Sequence, residues 1–463
     1  MKRTLFDDSG FLLEQDYLDE TLESREEWAG LYHHRRKVGY ACSEIRRIED
    51  GYRMTETLVM NITMMGLPQK IESRINAITD RNLMLENFSF RIKSGVVSFI
   101  AYGNIENRGL ELMIISGGKK QQQEIPLQGR PVLPAGLKYC LLQKGLKVGT
   151  VFTRQIFDPL TLATRKVRVE VVSEEKLRVR EEMVDSFKIR ETFNHIELYS
   201  WVDASGETLK EESPLGIVLL REPKEEALRP AGGDNVDLIA ETTVKFDGDL
   251  RVKGLTYLKV RLKNIAADDF DLDGGRQIQS GDVVEIRLET LSGKDTFRLP
   301  SSRPEMKAYL EANLLVQSDD ARIRSAANDI IESETDARKA VDKIFQWVYE
   351  NIEKKPTLSV PSALEVLETK QGDCNEHAVL FTALCRAVGV PARRCAGIVF
   401  VNNGFYYHAW SEVFLGKWVS VDPTLKQFPA DVTHIKFFEG GMADQLGVLG
   451  LVGRLELEVL DQK

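Results

Sequence analysis

The chain has no run approaching the about 18 consecutive apolar residues of a membrane-crossing helix, and its opening Met1-Lys-Arg-Thr-Leu-Phe-Asp-Asp lacks the apolar core of a secretory leader. No membrane span is expected, and the compartment defaults to the cytoplasm; a start trimmed behind an export signal would read the same and make the protein periplasmic. Cysteine is scarce. The five thiols, Cys42, Cys140, Cys374, Cys385 and Cys395, are odd in number and scattered, which argues against a disulfide framework and for free thiols. The paired Cys or His spacing that holds zinc is missing, so neither a metal nor another cofactor is expected. Positive charge is not in excess: 62 Lys and Arg stand against 71 Asp and Glu, a net charge of -9 with the acidic residues dispersed, which gives no reason to expect nucleic acid as a partner.

What is present is the composition of a globular protein, 43% hydrophobic and 29% charged. Its 463 residues exceed one ordinary core, so roughly two to three domains are expected. Residues 1–28 are polar and acidic and read as a lead-in, with a helical segment around 18–28. From residue 37 the pattern alternates, with strand-like runs near 40–48, 52–62, 70–78, 83–92, 96–102 and 110–115 punctuated by Asp50-Gly51, Ser94-Gly95 and Ser116-Gly117-Gly118. Residues 134–146 read as a helix that packs Leu137, Tyr139, Leu141 and Leu142 on the sheet and stops at Gly145. Strands resume to about 220. Residues 29–220 are thus expected to form a large antiparallel meander with one helix, loosely similar to curved-sheet envelope domains of bacteria. Residues 221–235, with Pro223, Pro230, Gly232 and Gly233, read as a linker, and 236–303 as a small β domain. Within the latter, Asp269, Asp271, Asp273 and Gly274 match the first half of a calcium loop, but position 12 is Ser280 and strands flank it, so a solvated turn is expected.

After Pro304 the period changes from two to 3.6. Residues 321–331 and 337–352 are amphipathic helices, and Ser362-Ala-Leu-Glu365 has the form of a capping box opening a short third one. Cys374 then stands at the start of a helical run that ends at Gly389. On the first turn the helix's positive end favours a thiolate, free backbone N–H groups can face an oxyanion, and Gly372 allows a tight entry. Residues 393–401, 405–415 and 418–422 read as strands. Tyr406, His408, Trp410 and Glu412 share one face of the second, and Trp418, Ser420 and Asp422 one face of the third. A two-residue turn at Gly416-Lys417 would pair Ser411 with Asp422 and turn the carboxylate away from His408. A three-residue loop, 415–417, would pair Trp410 with Asp422 and leave His408 one diagonal step away on the same side. The odd-length loop, or an equivalent bulge, is predicted.

The ordered motifs Gly372-Asp-Cys-Asn-Glu-His-Ala378, Gly389-Val-Pro-Ala-Arg393, His408-Ala-Trp410 and Trp418-Val-Ser-Val-Asp-Pro423 resemble the bacterial transglutaminase-like superfamily, a branch of the papain-like cysteine enzymes, over about residues 305–430. The resemblance implies an α+β, multidomain protein whose residues 304–463 form a papain-like core of helices packed on an antiparallel sheet. It implies Cys374 as nucleophile, His408 as base and Asp422 as the group that orients the base, with the Cys374 N–H as oxyanion donor and Gln371 and Trp347 as side-chain candidates. The chemistry implied is thiol-dependent acyl transfer on amide bonds of a protein or peptide substrate. Water as second acceptor makes a hydrolase; an amine makes a transglutaminase. The alternative from another class is a non-catalytic binding or scaffold protein of the bacterial envelope that uses the β-rich domains.

Several residues carry plainer expectations. Cys42, Cys140, Cys385 and Cys395 read as packing. His377 reads as a polar residue of a first helical turn rather than half of a zinc pair. Tyr406 and Trp410 either pack on the sheet or line an acyl cleft, Glu412 is solvent-facing or strand-pairing, and the cluster from His33 to Lys37 is a solvated face.

Overall fold

In a computed structural model of the chain, the described residues are 22–463 except 65–66, 96, 107–108, 117–118, 194–195, 231–242, 357–359, 361 and 442–445. Alternation builds the largest element, a fourteen-stranded antiparallel sheet of residues 25–221. In Leu85–Ser94, Phe88, Phe90 and Ile92 turn inward while the residues between them stay on the other face. Consecutive hairpins run from Lys119–Pro126 at one edge back to Arg25–His33. That strand pairs with Ile217–Arg221, from which a second meander runs back to Val151–Asp158 at the other edge. The helix Leu137–Lys144 buries Leu137, Tyr139 and Leu141 against the sheet and ends at Gly145, whose φ is 90°. Its first predicted turn, Pro134–Gly136, is a 3-10 turn instead.

Three readings of this region change. Arg25 to Trp28 lie in a strand, paired with Cys42 to Ile45, rather than in a helix; the rest of the expected lead-in helix, up to residue 21, lies outside the described residues. The stretch expected to be a linker is anchored at two points where it is described: Ala227 is buried, and buried Glu222 accepts hydrogen bonds from Tyr32 and, at 2.7 Å, from Lys37, while Pro223 to Glu225 and Leu228 to Pro230 are exposed. Residues 231–235 lie outside the described set. That ion pair also draws Lys37 out of the expected solvated cluster, and His33 is buried, leaving His34, Arg35 and Arg36 exposed at the turn.

A five-stranded sheet contains Lys245–Asp247, Glu456–Gln462, Tyr257–Lys263, Val283–Arg287 and Gln277–Ser280, in that order. Its second strand comes from the far end of the chain, so a division at 303/304 does not separate two sheets. Asp273 Oδ1 accepts the Gln279 amide at 2.9 Å, closing the acidic loop as a turn.

The remaining unit carries helices Ala321–Ile331, Ala337–Asn351, Ala363–Thr369 and Cys374–Ala387, with the four-stranded sheet Trp418–Val421, Gly404–Phe414, Ala392–Val401, Ile435–Glu439. Asp320 and Asp336 cap the first two helices by accepting the Arg322 and Lys339 amides. Ser362 makes no such cap; its hydroxyl accepts Gln317 Nε2 at 3.0 Å, so the capping-box expectation fails there. The Cys374–Ala387 helix packs on the Gly404–Phe414 strand and on the other three helices. No helix among the described residues is long and apolar enough to cross a membrane.

Candidate active site

Asp373 opens the Cys374 helix with a reciprocal cap: its carboxylate accepts the Asn375 amide at 3.0 Å, while Glu376 Oε2 accepts the Asp373 amide at 3.0 Å. Glu376 folds back only because residue 372 is glycine; a Cβ there would lie 2.2 Å from Glu376 Cβ. The Cys374 amide is outside this cap and faces the end of the helix where a developing oxyanion is favoured. Buried hydroxyls tie helix to strand, with Thr382 Oγ1 3.1 Å from Ser411 Oγ and Ser411 donating to the Ala378 carbonyl at 3.2 Å. Half-buried Cys374 is thereby brought against the histidine strand, where the Ala409 amide hydrogen-bonds its sulfur.

The strand register is the one that the odd loop requires. Ser411 pairs with Val421 and Phe414 with Trp418 across the three-residue loop 415–417, so the next residue, Asp422, which bridges to Gln427, falls on the His408 side. His408 Nε2 lies 2.8 Å from Asp422 Oδ2. Nδ1 is then the nitrogen available to a thiol. On its other side His408 is backed by Gly397, paired with His408 and, across a bulge, with Lys436; a Cβ at 397 would fall 2.0 Å from the Ile435 carbonyl.

The bulged neighbour strand brings in a residue that the sequence reading passed over. His434 is fully buried, with Nε2 3.0 Å from Asp422 Oδ2 and Nδ1 3.2 Å from Asp431 Oδ1. Its loop is clamped from the small sheet by Arg276, which donates to the carbonyls of Ala430, Asp431 and His434 at 2.5, 2.7 and 2.8 Å and to Glu289 at 2.9 Å. The available signal was a buried-strand pattern, Val432 to Phe437, with a histidine in it three residues after an aspartate. Among the described residues, His408, Asp422 and His434 are also the group whose ligand atoms, within 4.8 Å of one another, have the make-up of a metal site. Both ring nitrogens are spent on the same carboxylate oxygen, and a metal would have to displace both.

The thiol differs from its sequence expectation. Burial first, then the negative charges of Asp373, Glu376 and Asp422, push Cys374 well above the ordinary cysteine range, against the lowering effect of the Ala409 amide. The helix's positive end is countered by two carboxylates in its own first turn. Cys374 is thus a neutral thiol at pH 7, and its thiolate fraction rises about tenfold per pH unit up to its pKa. Asp373→Asn keeps an N-cap acceptor and removes a charge, so alkylation of Cys374 at pH 7.5 should accelerate by about 3- to 10-fold; an unchanged or slower rate, followed by mass spectrometry, contradicts this account.

The other named residues fall as follows. His377 Nδ1 lies 2.7 Å from the Asp373 carbonyl, and burial lowers its pKa, so it is a neutral residue of the first turn. Trp410 is buried, its ring 6.3 Å from that of His408 and 5.2 Å from that of His434, which makes it packing behind the histidines; Tyr406 is half-buried. Glu412 is not solvent-facing. It is a buried partner of Arg393 at 2.7 Å, its cross-strand neighbour, and of Lys436 at 3.1 Å. Gln371 is half-buried in a two-residue strand paired with Glu353–Lys354, and the Trp347 ring lies 4.2 Å beneath the Lys370 ammonium. All five cysteines are free.

Comparison with known proteins shows partial similarities. The chain is 25% identical over 190 residues to mouse (Mus musculus) kyphoscoliosis peptidase, covering 35% of this chain and 28% of that protein. It is 26% identical over 200 residues to chicken (Gallus gallus) peptide-N(4)-(N-acetyl-beta-glucosaminyl)asparagine amidase, covering 41% of this chain and 27% of that one. It therefore spans under a third of the length of these curated relatives. Among solved structures, a β-barrel-like protein of a domain of unknown function from Brucella abortus aligns with a TM-score of 0.34 and 12% identity over 44% of this chain and 96% of that one. Residues 324–423, which include Cys374, His408 and Asp422, match the family model of the Transglutaminase-like superfamily.

Proposed function

We propose that the protein is a thiol-dependent acyl-transfer enzyme acting on amide bonds of proteins or peptides, with Cys374 as nucleophile, His408 as base and Asp422 orienting His408. The observation that carries this reading is the His408 Nε2 to Asp422 Oδ2 contact of 2.8 Å on the strand against which the Cys374 thiol is held. With Nε2–H donated to Asp422, His408 is held in the tautomer whose Nδ1 lone pair takes the thiol proton. Because the resting thiol is neutral, the proton leaves as the Sγ–C bond forms rather than beforehand. The carbonyl electron pair moves onto oxygen at the helix terminus, facing the Cys374 amide. Collapse of this intermediate breaks the C–N bond, and the amine departs with the proton from His408. The resulting thioester is passed to water or to a second amine.

A peptidyl chloromethyl ketone tests the assignment. The expected result at pH 7.5 is alkylation of Cys374 well ahead of half-buried Cys42, whose thiol is pushed up to about 11 by burial and by the Glu26 and Glu44 carboxylates. His408→Ala should slow labelling by about 10²-fold or more. Equal labelling of the two thiols, or no loss in His408→Ala, would sink the reading. Casein digestion against incorporation of a fluorescent alkylamine then separates hydrolysis from transamidation.

A further inference from the structure

We propose that His434 is a positioning residue: wedged as a double donor between Asp422 and Asp431, it locks the Asp422 carboxylate onto His408 and, as a fixed cation, offsets part of that carboxylate's charge. The inference rests on the reading of His408 as base. Counting donors and acceptors carries it. Asp422 Oδ1 accepts the Thr424 and Leu425 amides at 2.7 and 3.0 Å, and Oδ2 accepts both His408 and His434, so all its lone pairs are used and it is an ionised acceptor. Asp431 Oδ1 accepts the amide and hydroxyl of Thr433 at 2.9 and 2.5 Å, and its Oδ2 accepts Gln427 Nε2 at 2.9 Å. Each His434 nitrogen therefore faces a carboxylate that only accepts, and an imidazole satisfies two such partners by carrying both protons.

The surroundings agree. Burial works against a charged His434 ring, but its two carboxylate partners outweigh it and raise its pKa. Burial likewise works against the Asp422 and Asp431 anions, and the histidines hold both carboxyls well below the usual range. Among the described residues, the charged or titratable groups around His434 include His408, with its ring 5.8 Å away, and Arg276, which spends its guanidinium on backbone carbonyls and Glu289. Lys436, two residues on, is turned to Glu412 and Glu439. A lone Asp422 would stabilise protonated His408 at full strength. An Asp422 shared with a charged His434 orients the His408 ring while part of its negative charge is offset.

His434→Gln keeps a donor for Asp422 and removes the charge. The pH profile of alkylation of Cys374 by the same chloromethyl ketone should shift its acid limb upward by about one pH unit, a loss of roughly tenfold near pH 6 that recovers by pH 8.5. A purely structural role would lower the rate equally at every pH; that outcome, or an acid limb unmoved or lowered, overturns the proposal. Nitrogen-15 NMR of the histidines in Cys374→Ala gives a second readout without activity. One of the six histidines should keep both nitrogens protonated at pH 8, its signal lost in His434→Gln or moved in Asp431→Asn, and its absence refutes the double donor even if His434→Gln does not fold. If wild-type Cys374 is not labelled at all, the acyl-transfer reading fails; if it is labelled with the same profile in His434→Gln, only the role of His434 fails.

Discussion

Asp422→Asn should lower turnover by about 10³- to 10⁴-fold while leaving substrate affinity nearly unchanged. The carboxylate serves two ring nitrogens with one oxygen and two backbone amides with the other. An asparagine has one acceptor oxygen, so its NH₂ must face one of these pairs of donors. If the NH₂ faces the rings, His408 escapes a donor–donor clash only by changing tautomer, which places Nδ1–H toward the thiol and removes the base. If it faces the Thr424 and Leu425 amides, two buried donors lose their partner and the loop after Val421 shifts. Steady-state kinetics with circular dichroism as a fold control decides the matter; a variant that is folded and retains more than a tenth of wild-type turnover contradicts this role for Asp422.

Arg276→Met should have the largest effect on stability, about 3–5 kcal/mol. The Arg276 side chain is 5% exposed and that of Glu289 8%. Methionine fills much of the volume but leaves the carbonyls of Ala430, Asp431 and His434 without their donor and Glu289 as an unpaired buried anion, retaining only its contact with the Ser420 amide at 2.9 Å. Urea denaturation measures the loss. Because the unpaired anion contributes much of it, adding Glu289→Gln should restore a substantial part, and a single variant less than about 1 kcal/mol below wild type would contradict the clamp.

Periodicity made the helices of residues 321–351 and the alternating strands readable, and strand parity, once His408 and Asp422 are to share a side, calls for an odd-length loop at 415–417 or an equivalent bulge. Local patterns went no further. His434 acquires its partners through a bulge at Gly397 and through pairing of strands about 40 residues apart in sequence, which no window of residues displays. Arg276 reaches its carbonyl partners across more than 150 positions. The Cys374 environment differs from the sequence pattern for another reason: Asp373 and Glu376 stand in the motif, but only the folded cap sets both carboxylates beside the thiol, where they oppose the helix's positive end. The Glu456–Gln462 strand entered the small sheet because strand order there does not follow chain order.

The two hydrophobic cores that meet at the four-stranded sheet bear on how the protein can be dissected. One core runs from Phe381, Leu384 and Val413 through Ile344 into Phe90 and Leu112 of the large sheet. The other joins Ile398, Phe405 and Ile435 to Val260, Ile286 and Leu457 of the small one. The matched segment, 324–423, owns neither core in full. Cut out alone it would expose apolar surface toward both former neighbours and aggregate. A recombinant fragment built around the four-stranded sheet will need both of the other sheets, and a lineage that carried the segment into a new chain would have had to supply two replacement covers for it.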